Sequence, residues 1–376
     1  MSSIDTEKVV RDRYSDAANA RTPSLCCPIE YNTEYLKAIP KEIIERDYGC
    51  GDPSRHVRAG ETVLDLGSGG GKICFIAAQV VGAAGKVIGV DLNDEMLDLA
   101  RRSQPAVAKA IGFDNVSFRK GKIQDLAVDR DEIEQHLADN PVTDELGLRQ
   151  LEQFLDAIRK ERPMIADESV DVVVSNCVLN LVDADEKELL FDEILRVLRP
   201  GGRAVISDIV ADEPVPESMQ ADPELWSGCI SGAFERSAFM DAFEQAGFVD
   251  VRLEELQSEP WQTVDGIAFR SATVIAYRPS LATDGEELME QTQEFLQTPA
   301  ASIQSVYRGP FKHVVDDEGR MYTRGETCTD ALSHAAQREA IADQFVTYGA
   351  DTDDLSVARP MTLPVSGEGC CGGGNC

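Results

Sequence analysis

Positive charge is scarce in this sequence: 36 Lys and Arg stand against 67 Asp and Glu, a formal net charge of −31. A nucleic-acid backbone is held by a basic face, which this balance does not readily supply, so a nucleic-acid substrate is not expected. The surplus of acid fits solubility or a salty habitat. Histidine is limited to four scattered residues, and neither His nor Cys falls at zinc-finger spacing. No apolar run approaches membrane-spanning length, and the stretch from Met1 to Lys8 lacks the apolar core of a signal peptide. The expectation is a cytoplasmic protein with no membrane partner, whose ten cysteines rest as thiols. There is no internal repeat, and 376 residues suffice for one large domain plus a smaller one.

What is present is organised around Glu61 to Asp91. Val63 to Leu66 is a short apolar run that stops at glycines, as a buried parallel strand opening into a turn does. Gly67, Gly69 and Gly71 let the backbone pass close under a ligand. Ile73, Phe75, Ile76, Ala77, Val80 and Val81 recur at helical spacing up to Gly82, and Val87 to Val90 gives a second strand with Asp91 at its end. An acid there is placed to take two ribose hydroxyls. The dinucleotide spacing G-x-G-x-x-G is not kept, because Lys72 occupies the last glycine's place. With Asp65 inside the first strand, the stretch resembles motif I of the class I S-adenosylmethionine-dependent methyltransferases. There the acid lies near the methionine amino group, and the likeness runs from about Glu61 to Phe248.

Taken in order, Ile4 to Ala20 reads as an amphipathic helix that lids the cofactor site, and Tyr35 to Asp47 as a second helix. Glu95 to Ala110 is the helix after the second strand, Val116 to Phe118 the third strand, and Gly121 to Asp125 the turn where adenine lies in the resembled fold. Residues 126–166 read as a solvated helical hairpin, with runs at Asp131 to Ala138 and Glu145 to Arg159. Val170 to Ser175 is a fourth strand delivering Asn176 and Cys177, and Arg203 to Ser207 a fifth ending at Asp208, a residue with no assigned task beyond capping that end. A sixth strand is expected near Val249 and a seventh at Thr273 to Tyr277. Beyond Pro279, Thr283 to Gln297 is acidic and helical, Ser305 to Tyr322 alternates in hairpin style, and a glycine tail carries Cys370, Cys371 and Cys376.

Cys26 or Cys27, Cys50, Cys177 and Cys229 stand in different local settings, three of them on segments that would meet above the carboxyl edge of the sheet. Clustered thiols bind a soft, thiophilic centre. Tyr48-Gly49-Cys50-Gly51, Ser175-Asn176-Cys177-Val178-Leu179-Asn180, Trp226 to Ala233, Val306-Tyr307-Arg308-Gly309 and the terminal Cys-Cys-Gly make the chain similar to the arsenite S-adenosylmethionine methyltransferases.

That resemblance implies an α/β fold, a doubly wound, mostly parallel seven-stranded sheet with a small C-terminal α+β domain. The expected partition is an N-terminal lid with thiol loops over 1–57, the methyltransferase domain over 58–280 and the small domain over 281–376. Cys50, Cys177 and Cys229 would hold trivalent arsenic, and Cys27 or Cys26 would be the family's fourth thiol, linked to redox steps through a disulfide with Cys50. S-adenosylmethionine would lie against Tyr48, Asp65, Gly67, Gly69, Asp91, Met96, Ile123 and Asn176. A thioredoxin- or glutathione-type thiol reductant is the implied co-substrate, with no tightly bound metal. The long 126–166 insertion, the altered segment around Cys26 to Tyr31 and the extra thiol Cys74 depart from the family, leaving a modified arsenical or another thiol-bound species open as substrate. Cys74 itself reads as a buried, inert thiol. Another small-molecule methyltransferase, or a soft-metal binder that has lost turnover, are the competing readings.

Overall fold

The computed structural model describes residues 6–20, 22, 29 and 31–280, with short strands between 304 and 348. Contacts divide the chain into two units, Met1–Ala282 and Thr283–Cys376, so residues 1–57 fall within the first.

The first unit is built on a nine-stranded sheet. Its strands are β1 Thr62–Leu66, β2 Lys86–Asp91, β3 Val116–Lys120, β4 Val170–Asn176, β5 Leu198–Ala211, β6 Phe234–Glu235, β7 Val249–Leu256, β8 Gln262–Val264 and β9 Ile267–Tyr277. The spine runs β3-β2-β1-β4-β5-β9-β7, and these are the seven expected strands; β6 and β8 are short additions beside β5 and β9. Pairing from β3 to β5 is parallel, and β9 runs antiparallel to β5, β7 and β8. Chain order reverses at β1, which opens a crevice beyond the carboxyl ends of β1 and β4.

The pleat sorts the apolar side chains onto two faces. Leu64, Leu66 and Val173 join one core, while Val63, Val172 and Val174 join the other. The helices that cover these faces are α1 Thr6–Asn19, α2 Thr33–Leu36, α3 Lys41–Glu45, α4 Lys72–Val81, α5 Asp94–Ile111 and α6 Arg130–Asp139, then α7 Glu145–Glu161, α8 Lys187–Val197, α9 Glu217–Gln220, α10 Pro223–Ser227 and α11 Arg236–Gln245. Phe75 of α4 and Leu97 of α5 pack on one side, Ile194 of α8 and Phe243 of α11 on the other.

Two local expectations are corrected. The helix expected over Tyr35 to Asp47 is two short ones, because Pro40 disfavours helical backbone at Ile39 and cannot continue α2. The fifth strand does not end at Asp208: Ile209 to Ala211 go on pairing with β9, so Asp208 lies inside β5. At its start, Arg199 to Gly202 bulge out between the pairs Val170↔Leu198 and Val172↔Arg203.

The 126–166 insertion is a helical hairpin, α6 and α7, closed by stacking of His136 on Phe154 at 3.7 Å. It is tied to the sheet by Lys120, whose ammonium lies 2.6 Å from both Asp94 and Glu134.

In the second unit, β10 Gln304–Tyr307 pairs with β13 Thr327–Cys328 and β14 Phe345–Tyr348, and β11 His313–Val315 pairs antiparallel with β12 Met321–Thr323. The helix expected over Thr283 to Gln297 and the tail cysteines lie outside the described residues, as do Cys26 and Cys27.

Candidate active site

The glycine turn after β1 has φ values of 66° at Gly67, 51° at Gly69 and 86° at Gly71, a left-handed path that L side chains resist. At Gly67 space is also short, since an added Cβ would sit 2.4 Å from Val178. The turn is fastened to β2 through Asp91, whose Oδ2 accepts the Gly69 N–H at 2.7 Å and whose Oδ1 accepts the Asn93 N–H at 2.8 Å. Burial raises the Asp91 carboxyl above its ordinary range, and these backbone bonds pull it back.

The crevice is lined by Tyr48, Asp65, Gly67, Gly69, Asp91, Met96, Ile123 and Asn176, the whole set that the sequence assigned to the cofactor. Ser68 also borders it, and its hydroxyl is buried with no hydrogen-bond partner among the described residues. A buried hydroxyl without a partner is costly, and a polar ligand atom would satisfy it. Two carboxylates, a narrow glycine turn and this hydroxyl fit a ligand with a cationic end and ribose hydroxyls.

Several crevice residues were not assigned from the sequence. Lys72 is buried, 2.6 Å from Asp47, with its ammonium 3.4 Å above the Tyr31 ring. A cation at the start of a glycine-led helix was the available signal. Helix α1 supplies Thr6, Glu7, Val10, Arg11 and Tyr14. Cys74 is buried as expected, but it is engaged: its thiol donates to Asp65 Oδ2 at 3.1 Å, and burial lifts Asp65 to about 7 against that bond.

Cys50 is set by Asn176, at the end of β4. Asn176 Oδ1 accepts from the backbone N–H groups of Cys50 and Gly51 at 2.8 and 3.0 Å, and its Nδ2 donates to the Gly51 carbonyl at 2.7 Å. So close an approach needs glycine on both sides of the cysteine: a Cβ at Gly49 would fall 2.1 Å from Asn176, and one at Gly51 2.4 Å from Ser207.

Cys177 and Cys229 both take left-handed backbone, φ 64° and 61°. Asp208 clasps the loop after Cys177, accepting from the N–H groups of Leu179, Asn180 and Ile209 and from Asn180 Nδ2. One oxygen of Asp208 lies within 4.8 Å of both the Cys50 and Cys177 sulfurs. With four donors already on its two oxygens, it serves as a clasp and not as a ligand. The Cys229 thiol donates to the Cys177 carbonyl at 3.3 Å, and Trp226 Nε1 fixes the Cys229 segment by donating to the Leu181 carbonyl at 3.3 Å.

The Cys50 and Cys177 sulfurs lie within 4.8 Å of each other, the Cys229 thiol reaches the Cys177 carbonyl, and the three cysteines share one buried cluster, arriving from an N-terminal loop, a strand end and a late loop. The Cys177 and Cys229 thiols rest protonated. A hydrogen bond with Cys229 pulls Cys177 down, but its bond with Cys50 and burial outweigh that, and Cys229 is raised by its bond with Cys177 and by burial. Of the three, Cys177 borders the crevice.

Residues 58–247 match a methyltransferase-domain family, and 300–363 match a domain family of unknown function. The arsenite methyltransferase of Halobacterium salinarum is 42% identical over 273 residues, covering 66% of this chain and 59% of that protein. The arsenite methyltransferase of Aquipseudomonas alcaligenes is 36% identical over 62% of this chain and 58% of its own, so the chain spans somewhat under two thirds of these relatives. The arsenite methyltransferase of Rattus norvegicus is 30% identical over 93% of this chain and 90% of its own. The crystal structure of an arsenic(III) S-adenosylmethionine methyltransferase from Chlamydomonas reinhardtii superposes with a TM-score of 0.53 at 25% identity, covering 88% of this chain and 97% of that one. A class I methyltransferase sheet, a crevice at its reversal point and likeness to the rat protein over 93% of this chain together place the chain in the arsenite methyltransferase family.

Proposed function

We propose that this protein methylates trivalent arsenic held by Cys50, Cys177 and Cys229, with S-adenosylmethionine as methyl donor, and so detoxifies arsenite or methylarsenite in a reducing cytoplasm. The observation that supports the reading is one buried cluster that holds Cys50, Cys177 and Cys229, of which Cys177 opens onto the cofactor crevice. When bound, S-adenosylmethionine supplies an electrophilic sulfonium methyl. Asp91 receives the ribose hydroxyls and Asp65 the methionine amino group. Protonated thiols suit the uptake of arsenite, because each sulfur that displaces a hydroxide hands it the proton with which it leaves as water. Three thiolates leave arsenic its lone pair, and no general base is needed for that pair to take the methyl. The task of the site is alignment and exclusion of water.

Donation of the pair raises arsenic from +3 to +5. A thioredoxin-type dithiol, or a pair of glutathione-type thiols, returns two electrons and is itself oxidised to a disulfide, and Cys27 or Cys26 with Cys50 is the proposed relay. Among the described residues no helix is long and apolar enough to cross a membrane.

The test is to incubate the protein with S-adenosylmethionine, a thiol and arsenite or methylarsenite, and to separate the arsenic species. Methylated products should form, and Cys177→Ser should abolish them while S-adenosylmethionine still binds, since a hard hydroxyl replaces a soft thiolate. Wild-type rates from Cys177→Ser would leave a methyltransferase of another small molecule.

A further inference from the structure

Helix α1 buries little of itself: Thr6, Ala17 and Ala18 are its buried residues. Polar ties hold it. Thr6 Oγ1 donates to Asp183 at 3.0 Å, Arg13 donates to the Glu224 carbonyl and to Ser227 Oγ at 2.9 Å each, and Ser15 Oγ donates to Glu95 at 2.8 Å. An element held this way opens at far lower cost than the sheet beneath it.

Tyr14 points inward from the middle of α1. Its ring meets Tyr48 edge-on at 6.2 Å, and its hydroxyl lies 3.8 Å from Cys229 Sγ. Because the Cys229 S–H already has an acceptor in the Cys177 carbonyl, the sulfur lone pairs are left to accept from Tyr14. A phenol is protonated near neutral pH, so it has a proton to donate. Tyr14 also lines the cofactor crevice. One side chain thus touches both halves of the site.

We propose that Tyr14 is a positioning residue for Cys229: with α1 in place, its hydroxyl donates to the sulfur and holds it toward Cys177. The inference rests on the arsenic reading above. A thiolate bound to arsenic retains lone pairs, so the O–H···S bond persists when substrate is held.

Tyr14→Phe keeps the ring against Tyr48 and removes only the hydroxyl. In the full-length protein saturated with S-adenosylhomocysteine, arsenite affinity should fall about five- to tenfold while S-adenosylhomocysteine affinity stays within about twofold. Alkylation of Cys229, followed by mass spectrometry, should become faster. A fold defect would weaken both ligands together, so equal losses overturn the assignment. Wild-type arsenite affinity with an unchanged alkylation rate overturns it as well. If arsenite uptake by the wild-type protein is untouched by Cys177→Ser, the thiol-site reading itself falls and takes this inference with it.

Discussion

Asn176 accepts the backbone N–H of Cys50 at 2.8 Å across 126 positions of sequence. A side chain at the end of β4 therefore fixes the loop that carries one thiol, while the next residue in the chain is another. Asn176→Ala removes three hydrogen bonds to that loop and leaves its polar backbone groups in a part-buried site. We expect a loss of about 2–4 kcal/mol in stability by denaturant titration and a larger proportional loss in arsenite affinity than in cofactor affinity. Asn176→Asp should do no better, because a carboxylate cannot donate to the Gly51 carbonyl. Wild-type arsenite affinity in Asn176→Ala would detach Cys50 from this anchor.

Asp91 is the second test. It is proposed to hold the ribose hydroxyls, so Asp91→Ala should weaken S-adenosylmethionine binding by about 1.5–3 kcal/mol. The sequence alone suggests a fold left intact. The bonds from Gly69 and Asn93 to the Asp91 carboxylate instead predict a measurable drop in stability of about 1–3 kcal/mol. Calorimetry gives the first number and thermal unfolding the second. Unchanged affinity removes Asp91 from the cofactor site.

A third expectation concerns pH. Burial lifts Asp65 from 3.8 to about 7, so the folded protein binds this proton more tightly than the unfolded chain does. The stability tied to Asp65 is thus fully present below the unfolded value and is lost as pH rises toward about 7. Ligand binding has the opposite sign, because an ammonium group prefers the ionised carboxylate. S-adenosylhomocysteine affinity should climb between about pH 5.5 and 7.5 and then level, with a proton released to the buffer on the rising limb. Cys74→Ala, which removes the thiol donor to Asp65, should move that limb to higher pH, whereas Cys74→Ser should leave it in place. A flat profile across this range would separate Asp65 from the cationic end of the ligand.

Much of this was legible in the sequence, for identifiable reasons. The run from Glu61 to Asp91 is local: strand, glycine turn, helix and second strand follow within one stretch, so periodicity and punctuation suffice to read them. The order of strands puts Cys50, Cys177 and Cys229 on segments that reach one sheet edge, but their assignment to a single arsenic centre comes only from resemblance. Pro40 marks the division of the second helix in the sequence itself. What stayed hidden depends on partners far away in the chain. Cys74 looks like any helical core thiol until Asp65 is seen beside it, and Asp208 looks like a strand end until β9 is found pairing past it. Tyr14 reads as an apolar-face residue of an amphipathic helix, and only the closed lid brings it to Cys229.

The left-handed backbone at Cys177 and Cys229 sets stability against the proposed arsenic chemistry at two addresses in the chain. A side chain with a Cβ costs about 1–2 kcal/mol in that conformation, and glycine escapes most of the cost. Mutational drift that rewards only a sturdier fold would therefore favour glycine or asparagine at both positions and delete the sulfur in doing so. A library of this protein sorted for heat resistance without arsenic should enrich those changes, while a library sorted under arsenic should keep both cysteines. The two cysteines are thus the places where a lineage released from arsenic would be expected to lose its trade first.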